Sequence, residues 1–283
     1  MAAVQLVGHG GFEQLRYRDD VPVPEPAADE VLVRVAAAEA LIRAYRDELA
    51  GVIVDPVQRS IFAQPAFLRG LRGVTAECGV PLIFDEVVSG FRIALGGAVQ
   101  YFGVEPDLVA YGKALGGGLP IAAVGGRADL MDQVREDRHH TSRYVWAAST
   151  TGGSPLTSAA AHAVLDILET PGAYEHLFAM GQRLRDGIAA AFEGSGLPVQ
   201  VYGDGPLAQY RITDRPVTDM DSEARADNGL RRRLDLALLH RGLFINPMLT
   251  KIYVSLAHEP ADIDRYTTAL SEEVRSLRVA SAR

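Results

Sequence analysis

Residues 82–131, LIFDEVVSGFRIALGGAVQYFGVEPDLVAYGKALGGGLPIAAVGGRADLM, hold two features that core-and-surface patterning does not explain. The first is Asp85, at the end of the apolar run Pro-Leu-Ile-Phe. A carboxylate there is costly unless a cation faces it. The second is Lys113, twenty-eight positions on, in Tyr-Gly-Lys-Ala-Leu-Gly-Gly-Gly-Leu-Pro and just after another apolar run at 107–111. Only Lys113 and Lys251 are lysine; the other 26 of the 28 basic residues are arginine. In a chain with that preference, a lysine among glycines points to a requirement for an amine. Guanidinium stays protonated and cannot attack an aldehyde, whereas an amine can lose its proton and form a Schiff base. Both residues follow strand-like runs, which places them at the C-terminal edge of one sheet, where open α/β folds bind ligands. The glycines after Lys113 permit close backbone approach.

Outward from this block, the pattern predicts alternating strands and helices. Residues 39–50, EALIRAYRDELA, are amphipathic at helical spacing and run into a buried-strand pattern at 51–55. A helix is expected over 65–79, then strands at 81–85, 107–111 and 121–125. Strands joined through helices at this spacing argue for an α/β fold with a central, mostly parallel sheet covered on both faces. Long helices follow at 155–168 and 174–192. Short strands at 199–202, 207–212, 243–246 and 252–255, with a closing helix at 262–277, make a smaller C-terminal α+β domain. Ahead of all this, 1–38 read as a short antiparallel β meander, with strand runs at 4–7, 15–17 and 31–35 around a proline-rich loop at 21–26. The expected divisions are therefore 1–38, 39–168 and 169–283.

The chain of 283 residues is 48% hydrophobic, with a mean hydropathy of +0.04. That is ordinary for a globular protein with a sizeable core. Its net charge of −8 argues against nucleic-acid or polybasic membrane binding and leaves small molecules as partners. Cys78 is the single cysteine, which excludes an internal disulfide and reads as a small helix residue. No basic-then-apolar leader and no run of 18 apolar residues is present, so neither export nor membrane spanning is expected and the localisation reads as cytoplasmic. His139-His140 reads as a solvated loop pair without a third ligand, so no metal site is expected. Arg231-Arg-Arg233 reads as a wet helix face, and Lys251 as exposed.

The 82–131 block resembles that of glutamate-1-semialdehyde aminomutase and its class III aminotransferase relatives. The acidic pair, the Gly-Phe-Arg tripeptide, the Pro-Asp before the strand and the Gly-Lys with its glycine run occur in order at the family's spacing. The resemblance runs from about residue 39 and implies a partial type I fold of the pyridoxal-phosphate transferases. It implies that Lys113 bears the cofactor as a Schiff base, that Asp85 pairs with the ring nitrogen and that Val87 packs on the ring face. The family also places an acidic residue at Glu86, and Arg92 nearby with a structural role. Ser149-Thr-Thr-Gly-Gly-Ser-Pro155 is similar to the segment in which a threonine of one subunit contacts the cofactor phosphate of the other, which assigns Thr150. Thr150 reads equally as a helix N-cap. Ser154 stands where the family usually has Asn, and Asp55 where it commonly has Glu. Ser255-Leu-Ala-His258 fits the aminomutase side of the family.

That resemblance implies transfer of an amino group between a small amino compound and a carbonyl acceptor, in a homodimer. Relatives carry a longer N-terminal portion with the phosphate-cupping loop and the ring-stacking aromatic, which do not appear in this sequence. The alternative reading is a truncated, catalytically impaired pyridoxal-phosphate fold with a binding or assembly role only. Residues 1–38 resemble the opening of a medium-chain dehydrogenase of the quinone-oxidoreductase type. No dinucleotide fingerprint follows, so an oxidoreductase fragment is the third and weakest reading.

Overall fold

The computed structural model describes residues 3–6, 15–18, 30–58, 61–147, 149–150, 152–218, 220–246 and 251–281. Strands β1 (Ala3–Leu6) and β2 (Leu15–Arg18) pair antiparallel. Helix α1 (Glu30–Tyr45) follows, so the strand expected at 31–35 is helical. The alanine-rich stretch VAAAEALIRAY continues that segment, and helix propagation through strong formers outweighs the few tenths of a kcal/mol per β-branched residue that favour a strand (~0.5 kcal/mol). Next come β3 (Val52–Val54), β4 (Val57–Gln58), β5 (Ile61–Phe62) and α2 (Pro65–Cys78). Pro65 opens α2, and Gly79, left-handed at φ 69°, closes it by donating to the Ala76 carbonyl. Leu68, Leu71, Val74 and Thr75 share its buried stripe.

The main sheet is built from β3, β6 (Leu82–Glu86), β7 (Leu108–Tyr111) and β8 (Ala123–Gly126), in that order. A short helix α3 (Gly97–Phe102) lies between β6 and β7. β3, β6 and β7 run parallel, and β8 returns antiparallel to β7. The last strand therefore starts two residues later than the sequence pattern suggests. Along β6 the side chains alternate: Leu82, Phe84 and Glu86 are buried, while Ile83 and Asp85 face the other side and are partly exposed. On that second face Ile53, paired with Ile83, is 66% exposed, and Val124, paired with Ala110, is 58% exposed. Cover on both faces is expected; among the described residues the face that carries Leu82, Phe84 and Glu86 is the covered one along β6.

Asp107 fixes this sheet. One of its carboxylate oxygens accepts from the Leu82 N–H at 2.8 Å and from Arg72 of α2 at 2.7 Å, and the other accepts from Arg127, just past β8, at 2.8 Å. Its backbone joins two of these three neighbours, donating to the Leu82 carbonyl and accepting from the Arg127 N–H.

Beyond α4 (Ala128–Met131), helices α5 (Pro155–Leu168) and α6 (Ala173–Phe192) lead to a second core. There β9 (Val199–Tyr202), β10 (Leu207–Ile212) and β11 (Ile252–Tyr253) form an antiparallel sheet in the order β11-β10-β9. With α7 (Met220–Ala224), α8 (Asn228–His240) and α9 (Pro260–Ser281) they enclose Leu184, Ile188, Leu234, Leu238 and Leu270. Leu207 packs into the core of the main sheet instead, which joins the two. Residues 243–246, expected as a strand, are irregular, and the strand expected at 252–255 ends at Tyr253.

Arg231 is fully buried, not on a wet helix face. Its guanidinium lies 3.6 Å from the Tyr210 ring centroid, and its Nε donates to Asp235 at 2.9 Å. The spacing 231, 234, 235, 238 sets it on the inward stripe, while Arg232 and Arg233 are exposed.

Burial alone would raise the Asp107 carboxyl, but the donors from Arg127, Leu82 and Arg72 outweigh it and hold it at about 2. Such a depressed acid contributes its full stability above the ordinary carboxyl value and loses it as pH falls towards its folded value. Asp107→Asn should lower unfolding free energy by about 3 kcal/mol at neutral pH. The gap from the parent, followed by urea unfolding, should close as pH drops from about 4 to about 2. A constant gap would refute the assignment.

Candidate active site

Register decides what meets at the carboxyl edge of the sheet. Asp85 of β6 pairs with Ala110 of β7, and Glu86 with Tyr111. Lys113 lies two residues beyond Tyr111, so the amine and the carboxylate occupy adjacent parallel strands at the same edge. Lys113 is exposed and has a left-handed backbone, φ 44°. Phe91 is the other described non-glycine residue with positive φ. Such strain is concentrated at functional sites. Gly112, before it, lies under Val87: a Cβ there would stand 3.4 Å from Val87 Cγ1. Asp85 accepts from the Val87 N–H at 3.1 Å, and no other donor reaches it among the described residues. The structure thus brings Lys113, Asp85 and Val87 to one edge.

A cleft of about 500 Å³ opens beside Lys113, lined by Arg92, Ala114 and 117–120. Arg92 is positioned by its Nε, which donates to the Val88 carbonyl at 2.8 Å, and by the Tyr253 ring 4.5 Å from its guanidinium carbon. Burial lowers its pKa. The short 3-10 turn Lys113–Gly116 packs against α5.

Glu86, next to Asp85, points to the opposite face of the sheet. Its buried carboxylate accepts from the N–H groups of Ala98 at 2.6 Å and Val99 at 3.3 Å, at the start of α3. Burial raises its pKa against those donors. Its role is to hold the loop between β6 and β7. Thr150 is exposed, in a turn closed by the Gly152 N–H on the Ser149 carbonyl. Ser154, not Thr150, occupies the N-cap position of α5, and its side chain makes no capping bond. His258 folds back to accept from the Ser255 N–H at 3.1 Å. His139 and His140 are exposed, and no group of three metal-ligating side chains exists among the described residues.

Lys251, expected at the surface, is 4% exposed. It donates to the Val57 carbonyl, and Asp55, Arg92 and Lys113 all act on it electrostatically. Asp55, at the end of β3, accepts from the Val57 N–H at 3.0 Å and is under the influence of Lys251, Asp85 and Lys113. The two lysines of the chain, 138 residues apart, therefore serve one electrostatic neighbourhood. The signal was available in the sequence: the rarity that marks Lys113 marks Lys251 equally.

The sheet thus presents a lysine and a carboxylate together at its carboxyl edge. The aminotransferase class-III family model matches residues 5–273, and the chain belongs to that family. The match reaches ahead of residue 39, where the sequence resemblance begins. It is 38% identical over 261 residues to glutamate-1-semialdehyde 2,1-aminomutase of Desulforudis audaxviator, covering 89% of this chain and 59% of that protein. The chain spans about three fifths of the length of the curated relatives it matches. Among solved structures it is similar to an omega-transaminase from Sphaerobacter thermophilus, at TM-score 0.78 and 34% identity, over 85% of this chain and 55% of that one. It is also similar to a glutamate-1-semialdehyde aminomutase from Pseudomonas aeruginosa PAO1 in complex with PMP, at TM-score 0.71 and 26% identity, over 84% and 54%. The fold is a partial type I fold of the pyridoxal-phosphate transferases.

Gly97, at φ 61°, passes so close to Glu86 that a Cβ would stand 2.2 Å from its Oε2. Gly97→Ala should therefore destabilise the chain by about 2 kcal/mol or more, through left-handed strain and the displaced carboxylate together. Thermal unfolding would show it. A change below about 0.5 kcal/mol would mean that Glu86 does not organise this loop.

Proposed function

We propose that this chain carries the reactive lysine and the ring-nitrogen carboxylate of a pyridoxal-phosphate-dependent aminotransferase or aminomutase, which moves an amino group between a small amino compound and a carbonyl acceptor, or within one molecule. The observation that carries this reading is the strained, exposed Lys113 two residues past β7, beside the strand β6 whose second-last residue is Asp85.

Two of the residues present suit the cofactor: Asp85 keeps acceptor capacity beyond its one backbone donor, and Lys113 is exposed at the same sheet edge. When bound, pyridoxal phosphate supplies an electron sink for the bond broken at the substrate α-carbon. Lys113 Nζ would hold the aldehyde carbon and move the proton at that α-carbon. Asp85 would accept from the ring nitrogen and keep it protonated. Val87 would pack on the ring face. Thr150 from a second copy would reach the phosphate, in keeping with its exposed place on a turn.

A homodimer completes this reading. The sheet face that carries Asp85 exposes Ile53 and Val124, and the segment around Thr150 exposes Trp146 (81%) and Leu156 (68%). Apolar surface of this kind marks contact sites. On this reading 39–168 bind the cofactor and 169–283 flank the site. A reducing cytoplasmic setting suits the single cysteine.

Two measurements test it. Incubation with pyridoxal phosphate, borohydride reduction and peptide mapping should give one adduct per chain on the Lys113 peptide, lost in Lys113→Ala. No adduct, or an adduct that survives the substitution, would overturn the assignment. Sedimentation equilibrium at micromolar concentration should report about twice the 30.4 kDa chain mass; a purely monomeric particle would sink the dimer.

A further inference from the structure

Lys251 is a buried amine for which the chemistry above has no use. It stands just before β11, and its Nζ donates to the Val57 carbonyl across 194 residues of sequence. It thereby ties the second core to the segment that follows β3. The charged groups facing it are Asp55 from the end of β3, Arg92 from the loop after β6 and Lys113 from the loop after β7. Those facing Asp55 are Lys251, Asp85 and Lys113. Two carboxylates, Asp55 and Asp85, therefore share one sheet edge and repel each other, and Asp55 and Lys251 meet on Val57, whose N–H donates to the carboxylate at 3.0 Å and whose carbonyl accepts from the ammonium.

We propose that Lys251 is a positioning residue for this edge: anchored on the Val57 carbonyl, it holds the segment whose Val57 N–H donates to Asp55 and sets a positive charge near the two carboxylates. The part concerning Asp85 and the cofactor rests on the function proposed above; the tie through Val57 does not.

Burial raises the Asp55 carboxyl and lowers the Lys251 amine to about 8, so each charge is held against desolvation. Ionisable groups perturbed in this way cluster at functional sites. The choice of lysine has a chemical reading too. In a chain of 26 arginines, the compact ammonium suits a single carbonyl acceptor, and unlike guanidinium it can lose its charge near pH 8.

The test is a double-mutant cycle with Lys251→Met and Asp55→Asn, read first as urea unfolding of the full chain without cofactor. Each single substitution strands a buried charge or donor and should lower the folding constant about tenfold, which is about 1.4 kcal/mol. Both substitutions together should cost clearly less than the two single losses added, although the Val57 carbonyl lacks its donor in either case. Additive losses would overturn the coupling. The second reading is pyridoxal-phosphate affinity. The double variant, assayed where it is folded, should bind at least tenfold more weakly. Lys251→Arg should hold its affinity above pH 8, where the parent's declines. Unchanged affinity in every variant, or a decline in Lys251→Arg parallel to the parent's, would overturn the positioning role. Should the parent take up no cofactor at all, the proposed function fails, and the tie through Val57 stands or falls on the unfolding cycle.

Discussion

A single carboxylate sets the frame on which everything else here depends. Asp107 accepts from the start of β6, from α2 and from the residue after β8. In a sheet, a slip of one residue turns every side chain to the other face. By fixing where β6 begins relative to β7, Asp107 determines that Asp85 pairs with Ala110 and looks away from the core, and that Glu86 looks into it. Two adjacent acids thus acquire opposite duties. Glu86 is spent on the first N–H groups of α3, while Asp85 is left with capacity at the edge where Lys113 emerges.

The direction in which burial and partners move each acid separates these duties further. Asp107 is held below the ordinary carboxyl range by three donors, which is the behaviour of a group that stabilises the fold. Asp55 is raised, and its cationic neighbour Lys251 is lowered. Direction alone is not a sufficient criterion. Asp235 is also raised by burial, yet it sits beside Arg231 in the second core, away from the cleft. Its i,i+4 geometry and the Tyr210 ring under the guanidinium give it a structural explanation. Asp55 and Lys251 have no such local cause; they meet on Val57 from distant segments, at the edge where chemistry is proposed.

Much of this was legible in the sequence, for identifiable reasons. Lys113 and Asp85 stood out because each broke a local rule, an amine among arginines and a charge at the end of an apolar run, and functional sites are where such rules break. The strands at 81–85 and 107–111 were readable because their apolar runs are short and bounded. What failed were judgements that needed tertiary context. The 31–35 run has strand composition but is absorbed into a helix by the alanines that follow. Arg231 was read by its charge rather than by its spacing from Leu234 and Leu238. Lys251 was judged exposed because its immediate neighbours give no sign of the Val57 carbonyl that it reaches. Thr150 was placed at a helix start that belongs, in the folded chain, to Ser154.

The open face of the sheet links these observations. Parallel strands are stable when both faces are covered, and here the less covered face is the one that carries Asp85, with Ile53 and Val124 exposed on the two outer strands of the sheet. A ring held between Lys113 and Asp85 and a second copy of the chain would both cover this face. Each would remove apolar surface from water that the other also benefits from having ordered. On the proposed function, cofactor binding and self-association are then coupled, with each tightening the other by the same factor. Lys251 bears on both, because the segment it ties down, from Asp55 to Val57, follows directly from the edge strand that bears Ile53.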